Sequence, residues 1–333
     1  MLLERDRVPR NETIESTRLS DVLFGAKGFD SLAAIPSNVE AIETAFMFSA
    51  GLQTFAALVG PSGWGKTHIL EAVARRLRYE AGYSECNVRS ARDWVADTVH
   101  TDPHVPLILD NVQDILSKSR SRVRLRLALE RRTKAGRPTI LGFTSNKAGR
   151  AIRSLLPQPR AWAISSISNP APSERQIIVA KIAQTEGVII SDGLVRLLSH
   201  RLKGNGLTIR GAMKRLRLHD GNWLGANGTL RACGVLNPFF SDNSSWDLRD
   251  HIMACAKSFG LEYATLSSQD LAIYIMLRQA SLGEADVARF FDIEPAQAYN
   301  IAARLERKIT ECQQSSEIVQ RFIETTVERL RAD

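Results

Sequence analysis

The sequence predicts an α/β domain with a parallel β-sheet and helices on both faces, followed by an all-α region. Short apolar segments typical of strands alternate with amphipathic segments as far as Asn146, and this alternation is typical of parallel sheets. One strand–helix junction carries a glycine-rich phosphate-binding motif. Beyond Asn169-Pro170-Ala171-Pro172 the strand-like segments stop, and apolar residues recur at helical spacing.

The expected elements follow one another in a regular order. Residues 1 to about 35 contain several breakers and are expected to form an arm, and a helix is expected to open at Ser37-Asn38. Strands are expected at 54–59, 105–110 and 139–146, with helices at 68–77, 173–186, 192–202 and 208–218, a helix-and-strand unit at 89–99, and a glycine-rich hinge at 221–234. The sequence thus predicts three domains: an arm and α/β core over 1–168, a helical lid and hinge over 169–234, and a helical domain over 235–333.

The phosphate-binding motif fits the pattern G-x-x-x-x-G-K-[ST] at every position. Its glycines allow successive backbone N–H groups to turn around a phosphate, and the helix that follows adds free N–H donors. We expect Lys66 to reach the β- and γ-phosphates of ATP and the Thr67 hydroxyl to ligate Mg²⁺. The alternative is a glycine-rich turn that matches by chance. The candidate ligands of ATP or ADP are Gly60, Pro61, Ser62, Gly63, Trp64, Gly65, Lys66 and Thr67.

Two further strands end on polar residues, which the parallel arrangement brings to the same edge of the sheet. Asp110 is a candidate Mg²⁺ ligand through water, although a strand-ending Asp is otherwise often a helix N-cap. Asn111 stands where many ATPases carry a second carboxylate, and an amide orients water but cannot accept its proton. We therefore expect slow ATP hydrolysis, or a nucleotide-state switch. Asn146 is a candidate to form a hydrogen bond with the γ-phosphate or the attacking water. The alternative is that Asn146 is a plain turn residue.

The distribution of charge favours an acidic partner for the first two-thirds of the chain. The formal charge of +8 divides into −5 for residues 236–333 and +13 for the rest. Nine basic residues lie between Lys118 and Arg137, with Glu130 as the one acid among them. A solvated helix face is the alternative, but phosphate would compensate the self-repulsion of such a run.

Cysteine usage and hydropathy indicate a cytoplasmic protein. The four cysteines are far apart and contain no C-x-x-C pair, so neither a disulfide framework nor a zinc site is expected. No apolar run approaches about 20 residues, the length that spans a membrane.

Near the C-terminus, two helical segments flank a short turn at residues 292–294. This spacing fits a helix-turn-helix, in which the second helix reads DNA, although such pairs also serve as plain packing units. The candidate DNA-contacting residues on the second helix are Gln297, Asn300 and Arg304.

Several segments resemble the DnaA-type replication initiators. The resemblance lies in GPSGWGKTHIL (60–70, with His68 added to the candidate nucleotide ligands), LILDNVQDI (107–115), AGRPTILGFTSNK (135–147), the lid-like segment 173–216 and, more weakly, 271–291. It implies an AAA+ ATPase that assembles side by side on DNA. It also implies single-stranded DNA contacts through Lys118, Arg120 and the neighbouring Arg122, and an arginine finger at Arg160.

The departures from the initiators are equally informative. In the initiators, the lid carries an arginine called sensor 2, which aligns here with Leu207; Arg210 lies three residues further on. The residues with which the initiators read bases align with 294–298, and none of them is kept. At the position of Asn111, the Hda-type regulators also carry an asparagine, and this chain resembles them there. Those regulators lack a C-terminal domain. Two hypotheses result: a DNA-binding AAA+ switch in replication or its regulation, or a regulatory module that acts by protein–protein contact with an initiator or another AAA+ partner. The resemblance implies a bacterial protein associated with the nucleoid.

Overall fold

The computed structural model describes residues 28–97, 104–145, 150–219, 221–240, 247–262 and 267–332. The chain divides into two compact units. The first contains Glu40–Gly60, Gly65–Ser166 and the described residues up to Leu32; the second contains Ala33–Val39, Pro61–Trp64 and the chain from Ile167 onward. Within the described ranges, no helix is both long enough and apolar enough to cross a membrane.

The first unit is built on a five-stranded parallel sheet of order β2-β3-β4-β1-β5. The strands are β1 Phe55–Gly60, β2 Val88–Ser90, β3 Leu107–Asp110, β4 Thr139–Thr144 and β5 Ala163–Ser166. The predicted fold class is confirmed. Every residue of β1 and β3 is buried, as expected of strands covered on both faces. The strand β5 was not predicted, because its four residues include two serines and give no apolar run.

Helices cover both faces of this sheet. They are α1 Val39–Ser49, α2 Lys66–Glu80, α3 Ala91–Ala96, α4 Gln113–Leu116, α5 Ser119–Lys134 and α6 Arg150–Leu155. On one face, Leu125 and Leu129 of α5 join the cluster formed by Val59 and its neighbours. On the other face, Leu70 of α2 reaches Gly142 of β4, where an added Cβ would lie 2.9 Å from Leu70 Cδ1. The strands are therefore sandwiched between helices.

The register of the sheet aligns its carboxyl ends. Gly60, the last residue of β1, pairs with Thr144, the last of β4, and Ser90 pairs with Asp110. The loop after β1 and the carboxylate that ends β3 therefore emerge at the same edge, where ligands bind in parallel sheets.

The second unit is helical. Its helices are α7 Pro172–Thr185, α8 Asp192–Arg201, α9 Gly206–Leu218, α10 Gly225–Val235, α11 Asn237–Phe240, α12 Leu248–Glu262, α13 Ser268–Tyr274, α14 Glu284–Phe291, α15 Pro295–Glu311 and α16 Gln313–Ala332. Aromatic rings join the distant helices α12 and α16, since Phe259 and Phe322 meet edge to face with centroids 5.4 Å apart. The expected pair of helices around residues 292–294 is present as α14 and α15, and Asp292 between them has φ +54°.

The glycine-rich segment expected to be a hinge is a buried helix from Gly225 onward. The reason is close packing: a Cβ on Gly234 would lie 1.5 Å from the backbone oxygen of Ala280. Here glycine permits a helix to approach another backbone, a role that its helix-weakening tendency conceals in the sequence.

We predict that Gly234→Ala destabilises the helical unit by about 1–3 kcal/mol, because the new methyl group overlaps a backbone carbonyl. Gly211→Ala in α9 is the matched control. Its Cβ would meet only Phe239, at 3.4 Å, and removing a helical glycine should gain up to about 1 kcal/mol. Urea denaturation of both variants tests this, and a Gly234→Ala protein as stable as the wild type would contradict the packing described here.

Candidate nucleotide-binding site

The predicted strand–loop–helix context of the phosphate-binding motif is confirmed: the motif runs from the end of β1 to the first turn of α2. Gly63 and Gly65 have φ of +79° and +98°, a region that L side chains rarely adopt. A Cβ on Gly65 would meet no atom within 4 Å, so this glycine is required by its backbone conformation. The first N–H groups of α2 are donors without helical partners, and such a helix N-terminus favours an anion.

Lys66 is held inside the first unit. Its side chain is buried, and Nζ donates a hydrogen bond of 2.8 Å to the carbonyl oxygen of Gly60. Burial lowers the pKa of the Lys66 ammonium, and the charge of Asp110 opposes that shift. A lysine in these surroundings gains stability from an additional negative charge beside it, as a phosphate would provide.

Thr67 and Asp110 form the centre of the site. Thr67 Oγ1 donates to Asp110 Oδ2 at 2.5 Å, and Oδ1 of the same carboxylate accepts from the backbone N–H of Asn111 at 2.7 Å. Asp110 is buried. Gly142 leaves room for it, because a Cβ there would lie 2.8 Å from Asp110 Oδ1.

This donor set fits a magnesium ion. A hydroxyl and a carboxylate are hard oxygen donors, and Mg²⁺ is commonly bound by one or two protein oxygens with phosphates and waters completing its octahedron. Within the described part of the chain, no group of three or more His, Cys, Asp or Glu residues could hold a metal ion. Thr67 and Asp110 offer two protein oxygens, which leaves the other positions of a Mg²⁺ octahedron to phosphates and waters.

Asn111 has a special backbone conformation, with φ +53°, which asparagine and aspartate tolerate better than most residues. Its side-chain oxygen accepts from Gln113 Nε2 at 3.3 Å, and Gln113 Oε1 accepts from the backbone N–H of Thr144 at 2.8 Å. Gln113 thus links the turn after β3 to the end of β4 and orients the Asn111 amide. Sequence reasoning missed Gln113. The one available signal was that it lies two residues after the candidate Asn111. Asn146 lies outside the described residues.

His68 lies beside the segment that precedes α1. Its Nε2 is 2.7 Å from Ser31 Oγ, which itself donates to the backbone oxygen of Gly28 at 2.7 Å. The histidine therefore connects the beginning of α2 to this segment in the first unit.

The tip of the phosphate loop makes its contacts within the second unit. Asn205, the N-cap of α9, accepts from the N–H groups of Leu207 and Thr208 and donates Nδ2 to the Ser62 oxygen at 3.3 Å. Gly206 N–H donates to the Gly63 oxygen at 3.1 Å. Since a Cβ on Gly63 would lie 2.0 Å from Asn205 Nδ2, the motif glycine is also required by this approach.

Arg175 supports the segment that precedes α9. It donates to the backbone oxygens of Ser199, Leu202 and Gly204, and its guanidinium lies 5.5 Å from the ring centroid of Trp64. Burial lowers the pKa of Arg175. Sequence reasoning missed both Asn205 and Arg175. The N-cap pattern of an asparagine before α9 was a signal for the first, and nothing in the sequence marked the second.

The two positions aligned with sensor 2 differ in surroundings. Leu207 is 67% exposed. Arg210 Nε lies 2.7 Å from Glu186 Oε1, and Arg217 Nη1 lies 3.3 Å from the other oxygen of this buried carboxylate. The Arg210 charge is thus balanced within the second unit.

The basic run divides into structural and exposed residues along α5. Arg132 is half-buried and donates to Thr139 Oγ1 and to the backbone oxygens of Val105 and Pro138; burial and the charge of Arg137 lower the pKa of Arg132 to about 10. Arg124 donates to two backbone oxygens of the segment after β2, and Arg126 pairs with Glu130 at 3.1 Å.

The N-terminal end of the run is exposed. Among the described residues, Lys118, Arg120 and Arg122 have no ion-pair partner. We call these three residues the α5 basic edge.

The remaining predicted residues are exposed at separate places. Arg160 lies in a short 3₁₀ turn of the first unit, Pro159–Ala161. Gln297 and Asn300 are exposed on α15 of the second unit, whereas Arg304 pairs with Asp270 of α13 at 2.7 Å. Their roles stay predictions.

Comparison with known proteins identifies the fold. No protein-family model matches the chain, and no curated protein matches it. Domain III of the replication initiation protein DnaA from Thermotoga maritima matches with a TM-score of 0.54 and 15% identity, over 65% of this chain and 97% of that one. AMPPCP-bound DnaA from Aquifex aeolicus matches with a TM-score of 0.50 and 14% identity, over 91% and 97%. The chain therefore has the fold seen in these two DnaA structures.

Proposed function

We propose that this protein is an ATP-binding AAA+ switch whose nucleotide state governs self-association and DNA binding in replication initiation or its regulation. The observation that carries the proposal is the contact of Thr67 with Asp110 beside the buried Lys66. A hydroxyl, a carboxylate and an ammonium at the end of a parallel sheet are the groups that Mg²⁺ and phosphates require. The similarity in fold to an AMPPCP-bound DnaA is consistent with ATP as the nucleotide.

Each residue of the site then has a role. The backbone of Gly60–Thr67 and the Lys66 ammonium hold the phosphates, with His68 beside them, and Thr67 and Asp110 hold Mg²⁺, directly and through water. The bound ion supplies charge neutralisation at the phosphates. Asn146 is proposed to contact the γ-phosphate or the attacking water, and Arg160 to reach the nucleotide of a neighbouring copy.

Turnover should be slow. Asn111 can donate to and accept from a water molecule, but its amide cannot take the proton of that water at neutral pH. The bond from Gln113 fixes the amide. This arrangement suits a protein that keeps ATP for a long time and changes state when it is hydrolysed.

We assign DNA binding to the α5 basic edge. Lys118, Arg120 and Arg122 are exposed cations at the beginning of one helix, and phosphate contacts by such residues supply affinity without sequence specificity. Single-stranded DNA is the ligand that the resemblance to the initiators implies for these residues. The α15 residues Gln297, Asn300 and Arg304 are candidates for a secondary duplex contact.

The division of charge supports a second candidate function. Residues 236–333 carry a net charge of −5. This charge opposes DNA binding and is compatible with contact to a partner protein. In this alternative, the chain is a regulatory module that docks on an initiator or another AAA+ protein. We propose the same three parts for either function: 1–168, 169–234 and 235–333.

DNA binding tests the main proposal. We expect a labelled single-stranded oligonucleotide to bind more tightly with ATP than without it, as measured by fluorescence anisotropy across a salt series. Replacing Lys118 and Arg120 by alanine should reduce the slope of log affinity against log salt by about 1.4, because each phosphate contact on a single strand contributes about 0.7.

The matched control replaces Arg307 and Lys308 by alanine. Both are exposed cations in the second unit that the proposal does not use. The regulatory module would be favoured if the DNA affinity were the same with and without ATP. It would also be favoured if the wild type and the Lys118/Arg120 variant had equal slopes of log affinity against log salt.

Hydrolysis tests the role of Asn111. Asn111→Asp should raise the rate of ATP hydrolysis by about 10²-fold, since a positioned carboxylate can act as a general base. Aspartate also tolerates positive φ, so the turn should be preserved. Asn111→Gly keeps the backbone conformation without the side chain and should stay slow. A lower rate in Asn111→Asp, measured by phosphate release, would show that the amide is part of a working mechanism.

A further inference from the structure

A polar cavity lies in the helical unit, lined by residues that no part of the nucleotide site uses. Its volume is about 680 Å³, within the range of small-molecule sites. The walls come from the beginning of α10, from the turn after α13 and from α16. The polar side chains that carry the argument are Asn227, Arg231, Arg278, Gln279, Ser281 and Gln320.

The charged residues that line the cavity are all positive. Arg231 and Arg278 line it, and its lining includes no aspartate or glutamate. Guanidinium groups present several N–H donors in a planar fork, which matches the oxygens of an anion. The uncharged lining is rich in amides, which add hydrogen-bond donors for oxygen atoms.

Both arginines are positioned by aromatic rings. The guanidinium of Arg231 lies 5.7 Å from the centroid of Trp223, and that of Arg278 lies 4.8 Å from the centroid of Tyr299. Arg278 Nε is 3.3 Å from Glu306 Oε2, yet this buried atom makes no hydrogen bond. The acid therefore offsets part of the Arg278 charge without satisfying this donor.

The backbone around the cavity departs from regular helix. Ile275–Gln279 forms a π-helical turn, which brings Arg278 and Gln279 to the cavity. Ser281 next to it has φ +54°. Single π-helical turns occur frequently at functional sites, because they reorient side chains at a cost in stability.

The first turn of α10 adds backbone donors. Gly225 and Asn227 line the cavity, and the N-cap Leu224 provides no side-chain acceptor for the helix. The first N–H groups of a helix lack intrahelical partners, and the helix dipole favours negative charge there. These donors reinforce the two arginines.

We propose that this cavity binds a small organic phosphate, separately from the nucleotide site. A phosphate offers several acceptor oxygens, matches the fork of guanidinium donors and suits a helix N-terminus. A pocket of this volume, confined to the ends of three segments, suits a small molecule, whereas a DNA strand is bound along a continuous positively charged groove.

Inorganic pyrophosphate is the probe, and calorimetric titration is the measurement. The titration uses the full chain with Lys66→Ala, so that phosphate bound at the motif does not contribute. Asn227→Asp is the test variant: it places a carboxylate in the cavity, and aspartate is favourable in the first turn of a helix. Lys257→Gln is the matched control, an exposed cation in the same unit but outside the cavity lining.

We expect one pyrophosphate per chain. Asn227→Asp should weaken its binding at least about tenfold through charge repulsion, and Lys257→Gln should leave it unchanged. Thermal melting checks that each variant is folded. Absence of binding, or equal binding by both variants, would overturn the proposal. The proposal would also be overturned if pyrophosphate did not bind and Asn227→Asp weakened the binding of an oligothymidylate. The cavity would then be a DNA-binding site.

Discussion

The contact of Thr67 with Asp110 is the constraint on which the rest of the site depends. It requires β1 and β3 to end at one edge of the sheet, although β4 lies between them. The missing side chain of Gly142 makes room for the carboxylate, and burial restricts it to few partners. A buried carboxylate and a buried ammonium are costly to desolvate. Asp110 at the end of β3 and Lys66 at the start of α2 are therefore costly to bury unless a ligand uses their charges.

The helical end and the tip of the phosphate loop have their bonding partners in different units. Its helical end belongs to the sheet unit, where Lys66 reaches back to Gly60. Its tip is bonded to Asn205 and Gly206 in the helical unit. Because Asn205 also caps α9, a displacement of the tip must disturb the first turn of that helix.

Local patterns predicted most of the fold and the centre of the site, because they depend on residues near in sequence. The apolar runs of β1, β3 and β4 and the spacing of the phosphate-binding motif are of this kind. The sequence could not show β5, whose Ser165 is buried in a strand that pairs with β1. It also could not show that Gly234 permits close packing, or that Arg175 and Asn205 meet the loop. Those features arise from contacts between distant segments, which no local pattern records.

Nucleotide affinity is the most direct test of the account, because every proposed role of the first unit presupposes bound ATP. Titration of a fluorescent ATP analogue with Mg²⁺ compares the wild type with Lys66→Ala and with Lys134→Ala, an exposed lysine at the end of α5. The account predicts that Lys66→Ala loses at least about 100-fold in affinity, about 2.7 kcal/mol, and that Lys134→Ala binds as the wild type does. Equal affinity in all three proteins, or no binding by the wild type, would contradict it.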